Sequence, residues 1–484
     1  MAHLSRRHFL KGSALAAGSF FISSHLKAQS ANQNVGMAVI GLNGKGKSAI
    51  KDVFRTDGSR LVAICDVDSE ILQKRAAEIE AEHGVKVKTY TDYRKILDSK
   101  DIDAITITTP NHWHALMAIQ GCQAGKDVYC EKPVCHNIWE GRRIIEAARK
   151  YDRIVQSGFQ NRSDDGLREA FPYILEGNVG KIQMVRGLCY KNRTGIGKRS
   201  TPLMPPSNVD YNLWLGPAQD EPIYRDRLHY DWHWSWNTGN GDIGNQGPHE
   251  FDMMRWILGD PGLPKEVVSF GGRFAWNDAG ETPNMQIAAL SWGTIPVLFE
   301  VRDLYINPET PAPSSYKGRR VGVIITCEGG EFNGGRGGGI LYDNEGKKMK
   351  SWKGDAGFDH FPNFIRAVKN RKSKNLRSSI ESGFKSTCLA HMCNISYRTG
   401  QEVNLKRVEN VVAKNDTLQE TYDRFHQHLQ DWNIDFKSDR WTMGRKLRFN
   451  GNKERFAGNG ELAKVANAMI KDDYRQSFEV PSIV

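Results

Sequence analysis

Nowhere beyond its first thirty residues does the chain string together 18 apolar residues. No later segment can therefore cross a bilayer as a helix, and the mature protein is expected to be soluble. Internal repeats are missing. So is any paired-carboxylate signature of ordinary glycoside hydrolysis. The eight cysteines (Cys65, Cys122, Cys130, Cys135, Cys189, Cys327, Cys388 and Cys393) form neither a CxxC pair nor a compact disulfide framework. Most lie inside apolar runs, as in Val62-Ala63-Ile64-Cys65, and read as small buried thiols. No block of one charge stands out either. Lys and Arg number 67 against 56 Asp and Glu, a mild surplus spread along the chain. Without a basic block or a nucleic-acid motif, a DNA or RNA partner is not expected.

What is present begins with a leader. Ser5-Arg6-Arg7-His8-Phe9-Leu10-Lys11 closely resembles the twin-arginine export consensus, and residues 12–22 add a modestly apolar stretch too short to span a membrane. Residues 1–30 are thus expected to be a signal peptide cleaved after Ala28. The twin-arginine export machinery would be a partner, and the mature protein would reside in the periplasm or outside the cell. A chain that folds in the reducing cytoplasm before export needs no disulfides, which fits the cysteine usage.

Behind the leader, short apolar runs at 37–40, 61–64, 104–107 and 128–130 read as buried parallel strands, and 70–82 and 138–150 as amphipathic helices between them. Strand–helix alternation of this kind predicts a doubly wound parallel sheet of Rossmann type over 34–157. From 158 to 400 the strand-like runs at 182–189, 267–274, 285–290, 297–301 and 321–326 predict an α+β domain. Its large, mostly antiparallel sheet should pack one face on helices and leave the other available to a partner or substrate. Residues 193–222 lack periodicity, and a loop this long usually serves or covers a site. Residues 401–484 are expected to be an extension packing back on both domains; within it, 402–446 carries no legible role.

Three places carry chemistry. Gly41-Leu42-Asn43-Gly44-Lys45-Gly46 follows a strand and precedes a helix, where backbone N–H groups can approach a pyrophosphate. Such a turn also occurs for structural reasons alone. Asp66, closing the next strand, strengthens the nucleotide reading. A carboxylate there accepts hydrogen bonds from ribose hydroxyls and repels a 2′-phosphate, favouring NAD(H). Lys45 and Lys47 lie close enough to blunt that preference, so NADP(H) stays open. Thr109-Pro110-Asn111-His112-Trp113-His114 then sits at a strand end where α/β ligands bind, and Glu131-Lys132-Pro133 follows the next strand. A lysine there can hold a substrate hydroxyl and favour the alkoxide-like state before hydride loss, although a lone lysine is more often a solvated surface charge. Finally, Tyr230-Asp231-Trp232-His233-Trp234-Ser235-Trp236 gathers faces that stack on sugar rings, or else ordinary core. His229 and His233 have metal-ligand spacing but no third ligand, so no metal site is expected.

Gly41-x-Asn43-x-x-Gly46, Asp66, Thr109-Pro110-Asn111-His112-Trp113-His114 and Glu131-Lys132-Pro133, four motifs in order, resemble the N-terminal half of the Gfo/Idh/MocA oxidoreductases, the glucose–fructose oxidoreductase/inositol dehydrogenase type. The likeness runs from about 35 to 397, with Tyr474-Arg475-Gln476-Ser477-Phe478 similar to the ending of exported members. It implies that Lys132 is catalytic, supported by Glu131 and Pro133. It also implies that Gly41, Asn43, Gly44, Lys45, Gly46, Asp66, Thr109, Pro110, Asn111, His114, Glu131 and Lys132 hold the cofactor. Asn245-Gln246-Gly247-Pro248-His249-Glu250-Phe251-Asp252 resembles the family's D-x-x-x-H-x-x-D, whose His moves the proton at the reacting oxygen. His249 and Asp252 match, whereas Asn245 replaces the first acid. An Asn can orient an imidazole but cannot raise its pKa by charge, so a neutral His249 is expected. Gly158-Phe159-Gln160-Asn161-Arg162 resembles a segment of polar substrate contacts. Gln160, Arg162, Tyr230, His233, Trp234, Asn245 and His249 are the expected substrate residues.

The implied activity is NAD(P)-dependent hydride transfer to or from a secondary alcohol of a sugar, cyclitol or sugar derivative. Because the periplasm offers no obvious free NAD, the cofactor should be loaded before export and stay bound. An alternative is redox-neutral glycoside cleavage like that of glycoside hydrolase family 109; a non-catalytic sugar-binding protein is a third. The resemblance further implies a homo-oligomer paired through the C-terminal sheet.

Overall fold

The computed structural model describes residues 34–293, 295–436 and 441–484; the leader and its cleavage site lie outside the described residues. The N-terminal sheet holds β1 (Val35–Ile40), β2 (Ser59–Cys65), β3 (Lys88–Tyr90), β4 (Ala104–Ile107), β5 (Asp127–Cys130) and β6 (Val155–Ser157). All are parallel, in the order β3-β2-β1-β4-β5-β6. Every residue of β1 and β4 is buried, which is why both read as unbroken apolar runs rather than alternating ones. Helices α1 (Lys45–Arg55), α2 (Ser69–His83), α3 (His114–Gln123) and α4 (Ile138–Lys150) make the crossovers. Asp68 starts α2 by accepting the N–H groups of Glu70 and Ile71, and Gly84, at φ 65°, ends it. Asn137 caps α4 through the N–H of Glu140. Since β2 and β4 flank β1 on opposite sides, the chain reverses direction there, and a crevice opens beyond the strand ends.

The second domain is built on one twelve-stranded sheet: β7 (Ile182–Tyr190), β8 (Glu266–Gly272), β9 (Met285–Ser291), β10 (Val297–Arg302), β11 (Val321–Cys327), β12 (Gly330–Gly335), β13 (Gly338–Tyr342), β14 (Lys348–Lys353), β15 (Gln401–Val403), β16 (Trp441–Met443), β17 (Leu447–Asn450) and β18 (Arg455–Phe456). Only β7 and β10 pair in parallel among its described ladders. Helices α5 (Asp165–Leu175), α6 (Gly247–Ile257) and α7 (Ile380–Arg398) share the core of its inner face. There Phe251 of α6 stacks on Phe299 of β10 at 4.1 Å between ring centroids.

The opposite face departs from expectation. Over β8–β10 it is not open, because α8 (Leu405–Val412) and α9 (Asp416–Asp431) cover it. Val408, Val412, Leu418, Phe425 and Leu429 pack on Phe270, Met285, Ile287 and Leu298. Burying each such side chain contributes roughly 1.5–3 kcal/mol, and this gain holds the extension down. Behind this layer, the buried Glu300 of β10 accepts Arg186 at 3.0 Å, Arg302 at 2.8 Å, Arg424 of α9 at 2.8 Å and the Tyr190 hydroxyl at 2.6 Å. The segment whose role was illegible is thus the sheet's cover, and it adds β15 and β16 to the sheet edge.

The chain's end returns to the first domain. Asp472 accepts from His136 at 2.8 Å, the Tyr474 hydroxyl donates to buried Glu140 at 3.1 Å, and Phe478 meets Trp113 edge-on at 5.6 Å. All eight cysteines are free and buried.

Candidate functional site

A cavity of about 510 Å³ lies at the reversal point of the first sheet and is roofed by the second domain. One end is built from strand ends. Gly41 leaves β1 at φ +84°, and a Cβ there would stand 2.9 Å from the backbone of Thr108 and Thr109. A Cβ on Gly46 would stand 2.0 Å from the Gly41 carbonyl, so Gly46 packs beneath the turn rather than lining the cavity. Asn43 steadies the turn: its Oδ1 accepts the Gly44 N–H at 3.0 Å and its carbonyl the Gly46 N–H at 2.9 Å. Helix α1 starts behind it without a side-chain cap or an acid in its first turn. That close-approach glycine cradle before an uncapped helix fits a pyrophosphate.

Asp66 lies on the same wall and accepts the N–H groups of Leu42 at 2.7 Å and Asp68 at 3.0 Å. The Lys45 ammonium pairs with Glu131 at 3.4 Å. His114 is also cavity-lining, but both its ring nitrogens face carbonyls, Pro133 at 2.6 Å and Thr109 at 2.8 Å, and it ties the two cofactor-side loops together. Thr109, Pro110 and Asn111 line the middle of the cavity.

At the other end Glu131, Lys132, Gln160, Asn245 and His249 converge from both domains. Glu131 is buried and accepts Gln160 Nε2 at 2.7 Å. Burial alone would raise its pKa, but Lys45, Lys132 and Gln160 hold it below the ordinary value, so it is a carboxylate. Its room depends on Gly158, where a Cβ would stand 2.7 Å from the carboxyl group. Lys132 donates from Nζ to the Asn245 carbonyl at 2.6 Å; burial lowers its pKa, and Glu131 opposes that shift. Burial, with Lys132 next, drives the His249 pKa well below 6.5, so the imidazole is neutral. Its Nδ1 is buried without a partner and its ring stands edge-on to Phe159 at 6.0 Å, leaving Nε2 as the nitrogen the cavity can reach.

Several expected substrate residues serve otherwise. Asn245 does not orient His249. Its amide donates to Asp242 at 2.8 Å, and its carbonyl takes Lys132. Asp242 is fully buried and held well below its ordinary pKa, against burial, by the Arg193 guanidinium at 2.6 and 3.0 Å. Burial, and next the Asp242 charge, push the Asp303 carboxyl well above its ordinary range. Arg193 also donates to the Tyr230 hydroxyl at 2.6 Å, and Tyr230, at φ 65°, lines the cavity beside His233. Burial lowers the His233 pKa to about 4. Trp234 is 3% exposed and lies outside the lining; its ring supports Tyr230 and Arg193 at 5.7 and 5.6 Å. Arg162 is not a substrate contact either. It is buried, bridging Asp252 at 2.7 Å and Asp260 at 2.6 Å, which also removes Asp252 from the site. A guanidinium needs carboxylates when it leaves water, and these two supply them.

The site also includes residues that no motif named. Leu213 and Trp214 line the cavity from the 193–222 loop, which crosses the first domain as a strap. Its Asn208 carbonyl accepts the Ser69 N–H at 2.9 Å, Asp210 N–H reaches Val67 at 2.9 Å, and Trp113 Nε1 donates to the Trp214 carbonyl at 3.0 Å. His229 meets Asp68 at 2.9 Å beside the strap. The lack of periodicity over 193–222 was the one sequence signal for this cover.

Fold and cavity together define a two-domain dinucleotide-binding protein whose reacting end is assembled from both domains. Residues 35–159 match the family model described as an oxidoreductase family, NAD-binding Rossmann fold, and residues 178–272 match that of an oxidoreductase family, C-terminal alpha/beta domain. Over both of these segments the chain matches the Gfo/Idh/MocA family. It is 32% identical to inositol 2-dehydrogenase of Salmonella typhimurium over 34% of this chain and 48% of the relative. It is 28% identical to levoglucosan dehydrogenase of Pseudarthrobacter phenanthrenivorans over 49% and 54%. The matches thus span about half the length of these curated relatives. Among solved structures, the WlbA dehydrogenase from Bordetella pertussis, in complex with NADH and UDP-GlcNAcA, shares the fold at a TM-score of 0.54 and 20% identity, covering 75% of this chain and 97% of that one.

Proposed function

We propose that the protein transfers hydride between tightly held NAD(H) and a secondary alcohol carbon of a sugar, cyclitol or sugar derivative. The observation that carries this reading is the placement of Lys132 and a neutral His249 at one end of the cavity whose other end is the Gly41 turn and Asp66. When bound, the nicotinamide supplies the hydride acceptor or donor. Lys132 binds the substrate oxygen and favours its alkoxide-like state, in a setting dry enough to strengthen that charge. His249 Nε2 takes the hydroxyl proton in oxidation and returns it in reduction. Asn245 fixes Lys132 through its carbonyl and donates to Asp242, which accepts from Arg193, itself a donor to the Tyr230 hydroxyl.

The strap through Leu213 and Trp214 keeps water out and the nucleotide in, which suits a cofactor loaded before export through the twin-arginine leader. A retained cofactor suits equally the second reading, glycoside cleavage by oxidation, elimination, water addition and reduction. The first experiment denatures protein purified without added nucleotide and identifies what is released. Sugars and glycosides are then added to intact protein while the nicotinamide absorbance is followed. Stoichiometric NAD(H) with net reduction by a free sugar supports the dehydrogenase. Aglycone release without net redox change supports the glycosidase. A protein empty of nucleotide and unable to bind it overturns both, and sugar affinity without any turnover leaves a sugar-binding protein.

A further inference from the structure

Residues 334–339 read Gly-Gly-Arg-Gly-Gly-Gly, and the arginine is the tip of the β12–β13 hairpin. The glycines are there for packing. A Cβ on Gly338, at φ +101°, would stand 2.1 Å from the Trp352 carbonyl, and one on Gly339 would stand 2.3 Å from the Phe332 ring. Beneath the tip, the carboxylate of Asp164, fully buried, accepts the N–H groups of Gly337 and Ala356 at 2.9 Å and of Leu167 at 3.0 Å. Arg336 itself is exposed and donates from Nε to the Ala356 carbonyl at 3.1 Å.

The guanidinium lines the principal cavity from the second domain. Its charge acts on His249 and on Tyr129, at the reacting end. The other cations of that end are engaged: Lys45 with Glu131 and Lys132 with the Asn245 carbonyl. Of the cavity's acids, Asp92 pairs with Arg94, and Asp66 faces backbone N–H groups at the far wall. Among the described residues Arg336 has no carboxylate within 4.0 Å and no partner for Nη1 or Nη2. The cavity therefore presents an unneutralised guanidinium fork from the second domain, in the same lining as the proton-moving histidine.

We propose that Arg336 is an anion subsite and that the substrate is a sugar acid, its carboxylate held by the two free Nη groups while its reacting hydroxyl lies on Lys132. This rests on the hydride-transfer reading above. A planar carboxylate matches the guanidinium fork, whereas a phosphate dianion would call for a second free cation.

The test uses purified holoprotein and matched probes: glucuronate, galacturonate and mannuronate, the corresponding neutral aldoses, and glucose 6-phosphate. For the sugar whose stereochemistry fits, kcat/KM of the acid is expected to exceed that of its neutral match by about tenfold or more. Arg336→Met is expected to bring the ratio close to one, and Arg336→Lys to restore part of it. A wild-type ratio near one, or a ratio that Arg336→Met leaves unchanged, overturns the proposal. Loss of bound nucleotide in Arg336→Met also overturns it, by assigning the arginine to the cofactor; preference for the phosphate replaces the carboxylate by a phosphate. If no sugar turns over, hydride transfer fails by itself, and calorimetric titration of the same acids and aldoses decides the subsite. Tighter binding of an acid, lost in Arg336→Met, sustains it, and no such difference ends it.

Discussion

The charge state of Lys132 and His249 follows from burial, and burial is a tertiary property. Because His249 is already neutral well below 6.5, kcat/KM should show no break near that value, and on the alkaline side activity should fall as Lys132 deprotonates below its ordinary 10.5. Lys132→Met and His249→Gln should each lower kcat/KM by about 10²–10⁴ without loss of bound nucleotide, read by single-turnover nicotinamide absorbance. Glu250 gives a stability signature. Burial raises its pKa from 4.5 to about 8, so across that window the unfolded chain releases a proton that the folded chain retains. Stability therefore falls as pH rises from 4.5 to 8, and the full cost is present above 8. Thermal melts of Glu250→Gln should match wild type near pH 4.5 and gain on the order of a few kcal/mol by pH 8.

Among elements, the strap and the sheet cover do work that local sequence leaves unannounced. Gly216 closes the strap at φ +50°, and a Cβ there would stand 2.1 Å from the Trp113 ring. Gly216→Ala should therefore lift Trp214 from the cavity and speed release of bound nucleotide on dilution, followed by nicotinamide fluorescence. The cover is pinned by Glu300, whose carboxylate is held well below its ordinary pKa, against burial, by Arg302, Arg424 and Arg186. Glu300→Gln leaves those guanidinium groups without their counter-charge and should destabilise the fold by about 3–5 kcal/mol in urea titration. The same cover closes the face over β8–β10 that the sequence pattern left open to another subunit. The expected pairing through this sheet would have to use other surface. Helix α4 is legible because burial on one face repeats at the period of the helix, and β1 because burial on both faces leaves an unbroken apolar run. The region 402–446 is not, because its apolar residues acquire meaning only from Phe270, Met285 and Leu298 more than a hundred residues earlier.

At the scale of the whole molecule, export and cofactor retention are one expectation: a folded protein carrying its own nucleotide. Arg6→Lys together with Arg7→Lys should leave the protein in the cytoplasm with nucleotide bound, as read by fractionation and by assay of the released cofactor.

The sequence alone determined the parallel and antiparallel sheets, the glycine turn, Asp66, Glu131, Lys132 and His249. Each of these sits at a fixed offset from a strand or helix end, so order along the chain already places it. Only the tertiary structure could separate Gln160, which reaches Glu131, from Arg162 two residues further on, which Asp252 and Asp260 neutralise. Only it could turn Asn245 toward Asp242 and bring Trp214, His229 and Arg336 to one cavity. Those outcomes depend on which charges meet once water is excluded, and a polar side chain carries no period that announces its partner.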